Sequence, residues 1–152
     1  MERYFDLHLT AEPLALTENL FYLGAIPRVF PDQQDQALRQ GEDGPDFTPD
    51  DPALAYRGKE GVYVITGCSH SGITNIIEQA KRVTGQSKVM GVIGGFHLRQ
   101  LDDRSRGAIA YLKKEDIPYL YPCHCTALSV KVAMGQEMHL EEVGAGTSLI
   151  WE

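Results

Sequence analysis

The sequence predicts an α/β fold, a layered sheet whose functional loops gather along one edge. Near-continuous apolar runs of strand length occur at 61–66, 88–93 and 117–121, and segments of helical apolar period occur at 73–83 and 104–114. Each run ends on a loop that carries a histidine, and strand ends are where such folds collect their chemistry. Repeated strand, histidine loop and helix is the rhythm of a layered sheet with its loops on one side. No internal repeat exists beyond that rhythm.

Composition sets the outer limits. With 152 residues and 43% hydrophobic content, the chain forms one domain, 1–152, and can bury a core without disulfides. A formal charge of −7 and a pI near 5.2 argue against nucleic acid or a polybasic membrane patch as partner, leaving small molecules or proteins. Three cysteines cannot all pair internally, and Cys123 and Cys125 flank His124 too closely to bridge without strain. A reducing cytoplasm fits that usage. The N-terminal residues have no long apolar core, and no stretch approaches the length of a membrane span.

Taken in order, residues 16–27 read as an extended segment, with aromatic and branched residues between turn formers. Residues 30–52 are crowded with Asp, Gln, Gly and Pro and poor in periodic apolar positions, which predicts a long mobile loop. The run at 61–66 is a buried strand. Ile76, Ile77, Ala80 and Val83 then share one helical face within 73–83. A strand at 88–93, a helix at 104–114 with Ile109 and Leu112 on its apolar side, and a strand at 117–121 follow. The helical pattern resumes at 127–135, and a terminal strand is expected at 148–151 after the glycine turn at Gly144-Ala145-Gly146.

Three loops carry the candidate chemistry: Thr66-Gly67-Cys68-Ser69-His70-Ser71-Gly72, Gly94-Gly95-Phe96-His97-Leu98 and Pro122-Cys123-His124-Cys125-Thr126. Imidazole is the commonest ligand for borderline ions such as Zn²⁺, and the glycines allow the tight backbone approach that a crowded site requires. His70, His97 and His124 are therefore the candidate metal ligands. His8 and His139 follow no strand and have no neighbouring glycine, so they read as ordinary surface or core residues. Cys68 lies two residues before His70, where an extended backbone points both side chains the same way. Cys123 and Cys125 would face away from His124 on a straight strand and read as small buried packing residues. A Gly-x-Ser-x-Gly nucleophile elbow is approximated around Ser69, but the adjacent His70 stands in the wrong frame for a triad.

These loops, together with Leu20-Phe21-Tyr22-Leu23-Gly24-Ala25-Ile26-Pro27-Arg28 and the continuation Ile73-Thr74-Asn75-Ile76, resemble the metallo-β-lactamase superfamily. Within it, the chain is similar to the ribofuranosylaminobenzene 5′-phosphate synthase-like metal-dependent hydrolases. The resemblance implies half of an αββα sandwich, with a mixed sheet and helices on one face. It also implies a divalent metal, zinc first with iron or manganese as alternatives, that activates water against a phosphate or carboxyl ester. The family's His-x-His-x-Asp-His run is absent from this sequence, so the match is to the C-terminal half of the pattern. Ala127 also stands where relatives commonly have glycine.

Two functions follow from this. One is the C-terminal half of a metal-dependent hydrolase, completed by a separate N-terminal-half polypeptide and acting on a small-molecule substrate. The other is a non-catalytic homodimeric binding module, in which a second copy covers the sheet face that the missing half would cover. A bare half-sandwich would expose more apolar surface than a monomer ordinarily tolerates, so a partner is expected under both.

Overall fold

The computed structural model describes residues 4, 6–30, 39–41, 44–46 and 51–151. Two short strands, β1 (Leu14–Ala15) and β2 (Leu20–Tyr22), precede a separate antiparallel ribbon of β3 (Arg39–Gly41) and β4 (Gly44–Asp46). Then come β5 (Ala53–Arg57), β6 (Val62–Thr66), α1 (Ile73–Thr84), β7 (Val89–Gly94), α2 (Asp103–Glu115), β8 (Tyr119–Pro122) and α3 (Leu128–Gly135). The main sheet runs β1-β2-β5-β6-β7-β8. Its first four strands pair antiparallel, and β6, β7 and β8 pair parallel.

The parallel half explains the position of the helices. Successive crossovers of one hand, β6 to β7 and β7 to β8, bring α1 and α2 to the same face of the sheet. They meet there through Lys81 and Glu115, whose Nζ and Oε2 are 2.5 Å apart. Val62, Val64, Val92 and Leu120 project from the sheet into a core with Ile73, Ile76, Ile77 and Leu112, and α3 adds Val130 and Met134. This is the mixed sheet with helices on one face. Side chains alternate across a strand, so the register Leu54↔Ile65, Tyr56↔Tyr63 and Ile93↔Tyr121 places a second apolar, tyrosine-rich set on the opposite face.

The N-terminal segment is tied to α1 by side-chain amides. Asn75 Oδ1 accepts from the backbone N–H groups of Val29 and Phe30 at 3.0 and 3.2 Å, and Gln79 Nε2 donates to the Leu23 carbonyl at 2.9 Å. Both side chains are buried, so these bonds satisfy groups that would otherwise be costly.

Three differences from the sequence-based expectation stand out. Strand β5 was not expected as a strand, yet it occupies the centre of the antiparallel half. Within 30–52, residues 39–41 and 44–46 form the ribbon, while 31–38, 42–43 and 47–50, where the mobile loop was expected, lie outside the described residues. Residues 148–151 join no ladder; Trp151 instead stacks on Tyr63, with ring centroids 4.6 Å apart and planes 11° from parallel. Among the described residues, no helix is long and apolar enough to cross a membrane.

Candidate metal centre

All three histidine loops leave the carboxyl ends of the parallel strands β6, β7 and β8, so the topology itself assembles them along one edge. Each loop contains one non-glycine residue in the left-handed region: Ser69 at φ 60°, His97 at φ 51° and Cys125 at φ 55°. Such conformations are costly for residues with a Cβ and concentrate at functional sites.

In the first loop, Thr66 Oγ1 and Ser69 Oγ share a buried hydrogen bond of 3.0 Å, and the Gly72 N–H closes the turn onto the Ser69 carbonyl. The Ser71 N–H donates to Asp51 Oδ2 at 2.9 Å, while Asp51 Oδ1 lies 3.8 Å from His70 Nδ1. Asp51 is only 3% exposed. In the second loop, Phe96 and Leu98 are sunk in the core on either side of His97, which anchors the loop and turns the imidazole out of the sheet. The His97 ring meets the His70 ring edge to face, with centroids 4.7 Å apart.

The third loop is stitched to the second. The Cys123 N–H donates to the Gly94 carbonyl, the Ala127 N–H to the Leu98 carbonyl, and the Phe96 N–H to Thr126 Oγ1 at 3.1 Å. His124 Nε2 lies 3.3 Å from Cys68 Sγ, and Cys125 Sγ lies 3.8 Å from the same sulfur. Gly95 separates the outer loops. A Cβ there would meet the His124 carbonyl oxygen at 2.7 Å and the Gly67 carbonyl oxygen at 3.0 Å. No other residue type fits between them without moving a loop.

The candidate ligands thus fall into two groups. His70 and His97 touch each other, with Asp51 behind His70. His124 is held beside Cys68 and Cys125, and this trio is the set of three or more donors, among the described residues, whose ligand atoms all lie within 4.8 Å of one another. The expectation that Cys125 packs as a buried residue facing away from His124 fails. The left-handed turn at Cys125 bends the chain, leaves that residue exposed, and brings its sulfur to Cys68. Cys123 behaves differently, its thiol directed to the Tyr121 carbonyl at 3.3 Å.

Electrostatics favour neutral imidazole at His97. Burial lowers its pKa to about 4, and the neighbouring Arg99, His70 and Arg104 add to the shift against an opposing pull from Asp51. Cys68 is shifted upward, by burial first and then by its hydrogen bond with Cys125. Both ring nitrogens of His97 and Nδ1 of His70 are buried without a hydrogen-bond partner. Buried imidazole nitrogens ordinarily have one. The neutral His97 ring, with both nitrogens unserved by the protein, suits a divalent ion, which requires deprotonated ligands.

Comparison with known proteins bears on the same edge. No family model matches the sequence. The crystal structure of Tm1679, a metal-dependent hydrolase of the β-lactamase superfamily, superposes with a TM-score of 0.76 at 24% identity over 95% of this chain and 58% of that one. The chain has the metallo-β-lactamase fold. In sequence, it is 33% identical over 134 residues to the uncharacterized protein MJ0448 of Methanocaldococcus jannaschii, covering 86% of this chain and 49% of that protein. A 7,8-dihydropterin-6-methyl-4-(beta-D-ribofuranosyl)-aminobenzene-5′-phosphate synthase from the same organism is 31% identical over 142 residues, covering 88% of this chain and 47% of the synthase. The chain spans about half the length of the curated relatives it matches, in keeping with a resemblance to part of the family pattern.

Within the metallo-β-lactamase fold of this chain, Asp51 is the site residue that sequence reasoning missed. It lies in a stretch read as loop, and its only local sign is an Asp-Pro pair just before β5. It is buried, accepts from the Ser71 N–H at 2.9 Å and stands 3.8 Å from His70 Nδ1, behind the first histidine loop.

Proposed function

We propose that this chain is the metal-holding part of a metal-dependent hydrolase, in which His70 and His97 from one donor group and His124 from the other supply ligands for divalent metal, zinc first. The observation that carries this reading is the pair of buried ring nitrogens on His97 that no protein group satisfies. The ion supplies Lewis-acid polarisation and a lowered water pKa. The chain's own residues hold and orient. Asp51 Oδ1 stands 3.8 Å from His70 Nδ1, on the side of the ring where an outer-shell carboxylate serves a metal-bound histidine. Phe96 and Leu98, sunk in the core on either side of His97, pin the second loop. Arg99 and Arg104 surround His97 with positive charge, which favours an anionic ester, phosphate or carboxylate, as substrate. Three free thiols fit a reducing cytoplasm.

Partnership is part of the proposal. The sheet face opposite the helices bears Leu54, Tyr56, Ile65 and Ile93, all half-buried, with Tyr119 41% exposed. A second copy, or a polypeptide carrying the rest of the fold, covers this face, and turnover needs the second of these. Without it, the chain binds metal and does not turn over.

Elemental analysis after metal loading tests the centre directly. About one ion per chain is expected, with weaker binding in His70→Ala and His124→Ala. Cobalt substitution reports the ligands: an intense thiolate-to-cobalt charge-transfer band would show that Cys68 and Cys125 hold the ion instead. Sedimentation tests the partner face, and a cooperatively folded monomer at micromolar concentration would remove the dimer from the proposal.

A further inference from the structure

We propose that Cys68 and Cys125 form a redox-active thiol pair that closes to a disulfide on reaction with a low-molecular-weight disulfide. Their sulfurs are in contact at 3.8 Å although the residues are far apart in sequence. A disulfide needs about 2.05 Å between sulfurs, so closure requires the two sulfurs to approach further from 3.8 Å. Access is available as well, since Cys125 is exposed and Cys68 half-buried. The third cysteine does not compete. Cys123 is nearer to Cys125 in sequence, yet its thiol is directed to the Tyr121 carbonyl.

The chemistry is ordinary thiol–disulfide exchange. One thiol of the pair displaces a small thiol from the reagent and forms a mixed disulfide. The second thiol then attacks the protein sulfur of that bond and releases the other small thiol. Two protein S–H bonds and one reagent S–S bond are lost, and one protein S–S bond and two reagent S–H bonds are gained. The product ties the loop after β6 to the loop after β8. It also alters the surroundings of His124, whose Nε2 lies 3.3 Å from Cys68 Sγ. That last consequence, control of metal binding by oxidation, rests on the proposed function; the cross-link itself does not.

The test is incubation of the 152-residue chain with oxidised glutathione in the presence of EDTA, followed by thiol titration and peptide mapping without reduction. Reactive thiols should fall from three to one, with Cys68 linked to Cys125 as the dominant product. Cys123→Ser should give the same cross-link, and Cys125→Ser should give none. Three thiols still reactive, a dominant Cys123–Cys125 or Cys68–Cys123 bridge, or the same pairing in the urea-unfolded chain would overturn the proposal. Because EDTA removes any ion, failure here says nothing about the metal centre. Conversely, loss of the metal reading leaves this result standing.

Discussion

Two clusters of polar side chains lie at opposite ends of the helix layer, and they are completed in different ways. Between α1 and α2, Lys81 Nζ donates to Glu78 at 2.9 Å, to Glu115 at 2.5 Å and to Tyr111 at 3.3 Å, while the Tyr111 hydroxyl donates to Glu78 at 2.5 Å. Charge and hydrogen bonding are satisfied within the protein. Burial works against the ionised Glu78, but hydrogen bonds from Tyr111 and Lys81 outweigh it and lower its pKa. At the histidine edge, His70 and His97 bury ring nitrogens that nothing in the protein satisfies. A buried polar group lacking a partner is destabilising, so the first cluster ties the helices together, while the second leaves the nitrogens on which the proposed metal site rests.

The comparison is most exposed to a change at Lys81. Lys81→Met leaves two carboxylates facing each other in a half-buried site, and should cost about 3 kcal/mol of stability with metal binding unaltered. Urea denaturation and metal titration of the same variant check both halves. Next in size, His70→Ala or His124→Ala should weaken divalent-ion affinity on the order of a hundredfold, judged by the losses seen when metal-site residues are removed. Calorimetric titration measures this, and affinity unchanged in both variants would dissolve the distinction between the clusters.

Smaller effects sharpen it. Asp102 caps α2 by accepting from the Ser105 N–H at 2.9 Å, a polar group fully served by the protein. Asp102→Ala should cost about 1 kcal/mol near neutral pH. The Ser105 N–H bond holds the Asp102 carboxyl below its ordinary range. Its contribution is therefore complete above the unfolded value and is lost as pH falls through the folded one. The deficit of the variant should shrink under acid, as stability curves at several pH values would show. Smallest is His97→Phe, which replaces the unsatisfied nitrogens by carbon and should change metal-free stability by less than about 1 kcal/mol, while lowering metal affinity. A large loss of metal-free stability would mean that His97 has a partner in the protein after all.

The parallel spine was legible because β6, β7 and β8 carry apolar residues on both faces, and such strands show as unbroken apolar runs. Strand β5 was not, since its core-facing positions are Ala53 and Ala55, too small to stand out in a hydropathy pattern, and it follows a polar stretch. The three candidate histidines were found from strand-end placement, which topology controls. Their division into two groups was not, because side-chain placement in loops with residues in the left-handed region, Ser69, His97 and Cys125, is not announced by residue type. Asp51 was hidden for a related reason: its role comes from a contact 20 residues along the chain with Ser71. Likewise, Trp151 reads as the end of a strand, but stacking on Tyr63 rather than ladder pairing fixes its place.

Gly95 gives the edge a property that none of the individual histidines has. Its N–H donates to the Gly67 carbonyl at 2.8 Å, and its missing side chain leaves room for the His124 carbonyl. It acts as a shim one hydrogen atom thick, and the gauge between the two outer loops is set by that thickness. The three loops therefore cannot shift independently of one another. A substitution that thickens the middle loop shifts both outer ones together, so the site is inherited, or lost, as one piece.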